Sequence, residues 1–211
     1  MTAVATADGL SLEAVWDRAD DEVHTVAVVC HPHPLQGGTM HSPLIREIAR
    51  YLAEHGFAVL RFNFRGVGSS QGEWGEGIAE IDDVAAAVAA ASAAHPDLPL
   101  GVAGWSFGAV TSLRWQARDG NTAPWVGLAP PVRLTVGGGL LDLPEPEGLL
   151  PARRLFLIGD RDQYTDWPTL CDYATRAAAR CERVKGSDHF FHLKHRAVAG
   201  LVAAHLAARP W

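Results

Sequence analysis

The stretch Leu100-Gly101-Val102-Ala103-Gly104-Trp105-Ser106-Phe107-Gly108 decides the fold. Leu100 to Ala103 reads as a short apolar strand. Phe107 to Arg118 reads as a helix. Between them stands a serine flanked by glycines. A G-x-S-x-G pattern is common by chance and gains meaning from a strand before it and a helix after it. In that setting the serine sits on a sharp, strained turn, and its hydroxyl projects above the sheet. The flanking glycines, having no Cβ, let strand and helix approach closely. The Phe107 amide, at the helix N-terminus, then points to where an oxyanion would form.

Outward from this turn the chain alternates strand and helix. Leu10 to Trp16 alternates apolar and polar residues, as an antiparallel opening strand does. Thr25 to Cys30 is a buried strand. A helix follows from Ser42, its N-cap, and Pro43, its first residue, to about Glu54, where Gly56 ends it. Phe57 to Phe62 is a strand, followed by a Gly-rich loop, Arg65 to Gly72, and a helix from about Ile78 to Ala94. The second half gives strands at Trp125 to Leu128, Leu155 to Ile158 and Glu182 to Val184, with helices over Trp167 to Arg180 and roughly Leu193 to Ala208. This order predicts an α/β fold: a mostly parallel central sheet with helices on both faces. Ligands of such sheets bind beyond the carboxyl ends of the strands. Pro130 to Pro151 is the one irregular stretch, expected to be a loop or a short flap over the site; about twenty residues are too few for a core of their own.

Bulk properties narrow the function. The 211 residues suit one domain, 1–211. A net charge of -6 gives no electrostatic reason to expect nucleic acid as a partner. No leader is expected at the N-terminus, and the Ala-rich run Val84 to Ala94 is too short to span a bilayer, so no membrane is expected either. Three cysteines, Cys30, Cys171 and Cys181, show no CxxC spacing and point to a reducing, cytoplasmic setting.

A nucleophilic serine needs a base and an acid. Of the ten histidines, His189 lies in a loop between the last strand and the last helix, where this chain order places the base. A free imidazole titrates near about 6.5, so it can take a serine proton near neutrality. His192 and His195 follow at helical spacing and read as helix-surface or pocket-wall residues. The acid should follow the strand Leu155 to Ile158, where Gly159-Asp160-Arg161-Asp162 offers two carboxylates. Asp160 sits at the strand end, where it would order the loop. Asp162 lies further out, where it can reach the histidine, and is the preferred acid; Asp166 and Asp188 are more distant alternatives. The loop after Cys30 reads His31-Pro32-His33-Pro34-Leu35-Gln36-Gly37-Gly38 and would supply the second oxyanion donor. The two prolines have no N–H, leaving His33 or Leu35, with His33 preferred by position.

Taken together, His31-Pro32-His33-Pro34 with Gly37-Gly38, Arg61 to Ser70, Gly104 to Gly108, Ala129-Pro130-Pro131, Gly159 to Asp162 and His189-Phe190-Phe191 resemble the small bacterial α/β-hydrolases of the His-Pro-His-Pro type, related to dienelactone hydrolase. The resemblance spans nearly all of the chain after about Ala27. It implies an α/β-hydrolase fold without a cap domain, no metal and no cofactor, and it supports Asp162 as the acid. Dienelactone hydrolase carries a cysteine nucleophile where this chain has Ser106, so the lactone substrate does not carry over.

The function expected is that of a serine hydrolase of the carboxylesterase type. Its partner is a small-molecule ester, and a homo-oligomer is compatible with the sequence. Leu35, Trp74, Tyr164 and Phe191 are the expected substrate-binding residues. Three rivals remain. A metal hydrolase could draw on His189, His192 and His195 or on His31, His33 and His41. Phosphate binding at Gly66-Val67-Gly68 lacks the dinucleotide spacing. A non-catalytic hydrolase-fold binder would ordinarily lack a triad member.

Overall fold

The computed structural model describes residues 2–18, 22–136 and 139–207. Eight strands form one sheet: β1 (Thr2–Ala5), β2 (Ser11–Asp17), β3 (Thr25–Cys30), β4 (Phe57–Phe62), β5 (Leu100–Trp105), β6 (Trp125–Leu128), β9 (Arg154–Gly159) and β10 (Arg180–Val184), while β7 (Arg133–Val136) and β8 (Gly139–Asp142) make a separate hairpin. The order is β1-β2-β4-β3-β5-β6-β9-β10. β1 and β2 run antiparallel at one edge, and the strands from β4 to β10 are parallel. β3, β4 and β9 are buried along their whole length, as continuous apolar runs require.

Five helices cover the two faces: α1 (Pro43–Glu54), α2 (Glu80–Ala94), α3 (Phe107–Asp119), α4 (Trp167–Arg176) and α5 (His195–Leu206). One apolar layer joins Val26, Val28 and Phe156 to side chains of α2, α3 and α4, and the other joins Ala27, Val29 and Leu157 to α1 and α5. Successive strand residues alternate between the two layers because strand side chains have a period of two. The chain turns from β3 outward to β4, then crosses back to β5 on the other side of β3. That reversal opens a crevice at the carboxyl ends of β3 and β5.

Several element bounds differ from expectation. β1 was not foreseen: it is a four-residue, mostly exposed edge strand with no apolar run to mark it. α4 stops at Arg176 rather than Arg180, because Ala178 turns at positive φ and the chain enters β10 two residues before Glu182. α5 begins at His195, after a turn at Leu193, and its expected end at Ala208 lies outside the described residues. The segment Pro130 to Pro151 is neither a bare loop nor a flap. It carries the β7–β8 hairpin, and its second half is tied to helices: Arg114 of α3 donates to the Asp142 carbonyl at 2.7 Å, and Tyr173 of α4 to the Pro144 carbonyl at 2.5 Å. Gly137 and Gly138 of this segment lie outside the described residues. No helix among the described residues is long and apolar enough to cross a membrane.

Candidate active site

Ser106 stands between β5 and α3 with φ 53° and ψ -113°, a conformation that strains any residue with a Cβ. The two flanking glycines make it attainable. A Cβ on Gly104 would lie 2.4 Å from Gly108, and one on Gly108 would lie 2.5 Å from the carbonyl oxygens of Cys30 and His31. The elbow is fixed by the Ser106 amide, which donates to the Leu128 carbonyl at 2.8 Å.

His189 and Asp162 meet as the spacing predicts. His189 Nδ1 lies 3.0 Å from Asp162 Oδ2, and the Asp162 side chain is 1% exposed. The other oxygen of Asp162 accepts from the amides of Tyr164 (2.8 Å) and Thr165 (3.1 Å). Thus the carboxylate is aimed by its own loop, which leaves Oδ2 for the imidazole. Asp160 orders the neighbouring loop: Oδ1 accepts from the Ser187 amide at 3.0 Å, and bonds from the Gly186 and Ser187 amides hold its carboxyl below the ordinary range. Asp166 caps α4 through the Thr169 amide, and Asp188 pairs with His192 at 2.7 Å. The loop bearing His189 is anchored to the elbow itself, since Trp105 Nε1 donates to the His189 carbonyl at 3.1 Å. A Cβ at Gly159 would strike the Ser187 and Asp188 carbonyls, so the close approach of β9 to this loop requires glycine.

The loop after β3 is braced on every side. His31 is fully buried; Nδ1 contacts the Pro32 carbonyl at 2.7 Å and Nε2 accepts from the Phe64 amide at 3.0 Å. Burial pushes its pKa down to about 4, so the ring is neutral at ordinary pH. Further along, Arg61 donates to the Met40 carbonyl at 2.6 Å and Asn63 accepts from the Met40 amide at 2.8 Å. Asp17 holds Arg61, and Glu13 holds Asn63. The motif Arg61-Phe62-Asn63-Phe64 therefore serves as the buttress of this loop.

Its amides can be accounted for one by one. Leu35 donates to His33 Nδ1 at 3.2 Å, Gln36 and Gly38 donate to the His33 carbonyl, Gly37 to that of Pro34, and Thr39 to Ser42 Oγ. Among the described residues, no acceptor is assigned to the His33 amide. Leu35, the other option from sequence, is already engaged.

Ser106, His189 and His33 line one cleft of about 220 Å³, with Pro32, Gln36, Gly37, Gly38, Ser42, Pro43, Trp105, Tyr164 and Phe190. Of the four substrate-binding residues expected from sequence, Tyr164 is in this wall, its ring 4.6 Å from that of His189. The other three are corrected. Phe191 is fully buried in the α1–α5 core layer: positive φ (54°) at this position turns the chain, and it is the preceding Phe190 that faces the cleft. Leu35 is 59% exposed and is not among the residues that line the cleft. Trp74 stands behind the loop, packed on the rings of His33 and Phe107, rather than in the cleft. Trp105, Phe190, Gln36 and Ser42 were missed; the tie from Trp105 to the His189 carbonyl has no sequence signal beyond its place in G-x-S-x-G.

Neither histidine group gathers around a common point. His189, His192 and His195 each face a different partner, and both nitrogens of His31 are occupied. Among the described residues, no group of three His, Cys, Asp or Glu could hold a metal ion.

A serine elbow on this doubly covered, mostly parallel sheet defines an α/β-hydrolase fold of the serine hydrolase class. The chain belongs to the family described as serine aminopeptidase, S33, whose profile matches residues 22–145, more than half its length. It is similar to an α/β serine hydrolase without lid from Xanthomonas campestris: 31% identity, 95% of this chain and 90% of that one covered, TM-score 0.79. An α/β serine hydrolase homologue from Coxiella burnetii is 27% identical over 98% of this chain and 96% of its own, with a TM-score of 0.83. A protein from Rickettsia prowazekii, described as uncharacterized, is 29% identical over 191 residues, 87% of this chain and 79% of the relative.

Proposed function

We propose that the protein hydrolyses carboxylic esters of small or medium size through an acyl-serine intermediate. Ser106 Oγ attacks the ester carbonyl as His189 takes its proton. The amides of Phe107 and His33 receive the oxyanion. His189 then returns the proton to the departing alcohol oxygen. Water, deprotonated by the same imidazole, attacks the acyl-serine and releases the acid, which restores the serine. Asp162 holds the imidazole with its proton on Nδ1 and stabilises the imidazolium. The carrying observation is the convergence on one cleft of the strained serine and of a histidine whose Nδ1 is engaged by a nearly inaccessible carboxylate.

The cleft favours esters over substrates that present a free ammonium group, although the family's description carries the word aminopeptidase. Burying an ammonium is costly without a compensating charge, and among the described residues no aspartate or glutamate lines the cleft. Kinship with dienelactone-hydrolase-type enzymes through the His-Pro-His-Pro loop is part of this proposal, as are a single hydrolase domain, a cytoplasmic setting, which the three free cysteines suit, and the choice among ester, thioester and lactone.

The test is a panel of nitrophenyl esters, thioesters and lactones. Turnover of short-chain nitrophenyl esters is expected for the native chain, with loss of about 10⁴-fold or more in Ser106→Ala while the far-UV spectrum is unchanged. Turnover that survives Ser106→Ala would contradict the assignment.

A further inference from the structure

Trp74 is a large ring in the β4–α2 loop, and no residue of that loop lines the cleft. It packs instead on two rings at once: His33 at 4.8 Å between centroids and Phe107 at 5.3 Å. His33 and Phe107 are themselves 5.2 Å apart, so the three rings close a triangle. The two residues Trp74 touches are the two whose backbone amides are assigned to the oxyanion. One lies on the loop after β3 and the other on the first turn of α3. We propose that Trp74 is a positioning residue that sets the spacing between these two donors, an inference that rests on the acyl-serine reading above.

The surroundings show why a third ring is needed. Phe107 is fully buried and backed by Phe64 at 5.2 Å, whose amide is tied to His31. The Phe107 side of the triangle is therefore fixed from behind. The His33 ring is not held in the same way. Its Nδ1 accepts from the Leu35 amide, while Nε2 is buried without a hydrogen-bond partner among the described residues. Packing, not a second hydrogen bond, keeps the ring in place, between Phe107 and Trp74, whose ring lies nearer and is tilted at 35° to it. If the ring tilts, its hold on Leu35 slackens and the His33 amide moves with the loop. The Trp74 loop is in turn gripped by Glu80 of α2, whose buried carboxylate accepts from the Gly75 amide at 2.7 Å and the Gly77 amide at 2.9 Å. A chain of contacts thus runs from the start of α2 to the oxyanion site without touching substrate. Small displacements matter there, because donors must meet the oxyanion within a few tenths of an ångström.

Steady-state kinetics with p-nitrophenyl butyrate test the idea in Trp74→Ala, Trp74→Leu and Trp74→Phe, with Ser106→Ala measured beside them. Inhibition by butylboronic acid, which forms a tetrahedral adduct on a nucleophilic serine, supplies a second readout. Removing an oxyanion donor outright costs about 100- to 1000-fold in kcat; misplacing one should cost about ten-fold or more. Trp74→Ala and Trp74→Leu are expected to lower kcat by that factor with KM within about two-fold of the native value, and to weaken the boronate in parallel. Trp74→Phe should recover most of both losses. A kcat within about two-fold of native in the folded Ala or Leu variant would overturn the proposal, as would a loss confined to KM or one that leaves boronate affinity unchanged. If the Ala variant does not fold, the Leu and Phe variants decide by the same criteria. Turnover that survives Ser106→Ala would instead sink the acyl-serine reading, so the two failures are distinct.

Discussion

Four aspartates crowd the loops after β9 and β10, and their hydrogen bonds divide the work among them. Asp160 binds the Ser187 amide, Asp162 the His189 ring, Asp166 the first turn of α4, and Asp188 the His192 ring. Position along the loop gave the preference for Asp162 over Asp160, because a strand-end carboxylate meets the adjacent turn first, and the hydrogen bonds follow that order. Asp162→Asn is expected to lower kcat by about 10³- to 10⁴-fold, since the amide can hold the wrong tautomer. Asp160→Asn should cost far less in kcat and show instead as lower stability; equal kcat losses in the two variants would remove the distinction. His31 illustrates what spacing alone conceals. As a motif residue it looked like a candidate metal ligand, whereas the fold buries it between the Pro32 carbonyl and the Phe64 amide. Its pKa is depressed from 6.5 to about 4, so the unfolded chain binds the proton more readily. Stability should then be fully present above about pH 6.5 and fall as the pH drops toward 4, by about 3 kcal/mol from this group. Urea denaturation at pH 7 and pH 5 measures it. His31→Gln should flatten that dependence, and an equal slope in the variant would contradict the assignment.

At the scale of elements, glycine contacts explain both what was readable and what was not. Gly104 and Gly108 were legible as the close-approach points of an elbow, and the structure shows the backbone each one faces. A methyl on Gly108 would press α3 away from the end of β3, moving Ser106 and the His33 loop apart. Gly108→Ala is therefore expected to destabilise by about 1–3 kcal/mol and to depress kcat well beyond that loss of folded protein. Denaturant titration combined with kinetics on the folded fraction checks both; native kcat with native stability would count against the contact. The Phe190-Phe191 pair was not legible, since only the turn at positive φ decides which ring enters the core and which faces the cleft. β1 escaped because a short exposed edge strand has no hydrophobic signature, and the β7–β8 hairpin because the Gly residues in its sequence and the Pro residues on either side read as irregular chain.

Across the whole molecule, the cleft assembles from four strand ends: β3 leads to the His33 loop, β5 to Ser106, β9 to Asp162 and β10 to the His189 loop. The alternating pattern made that order readable, because buried parallel strands leave continuous apolar runs such as Thr25–Cys30 and Phe57–Phe62. What it could not show is the bracing between distant segments: Arg61 and Asn63 to Met40, Trp105 to the His189 carbonyl, and Trp74 to His33 and Phe107. Such contacts depend on where strands lie side by side rather than on local pattern. The family match reaches from residue 22 to 145 and so includes Ser106 but ends before Asp162 and His189. The geometry of the latter two is therefore the independent part of the case. The most direct measurement is covalent labelling of the folded protein with a fluorophosphonate, followed by peptide mass mapping. A single adduct on Ser106, lost in Ser106→Ala and strongly slowed in His189→Ala, is predicted. No adduct, or one on another residue, would contradict the account.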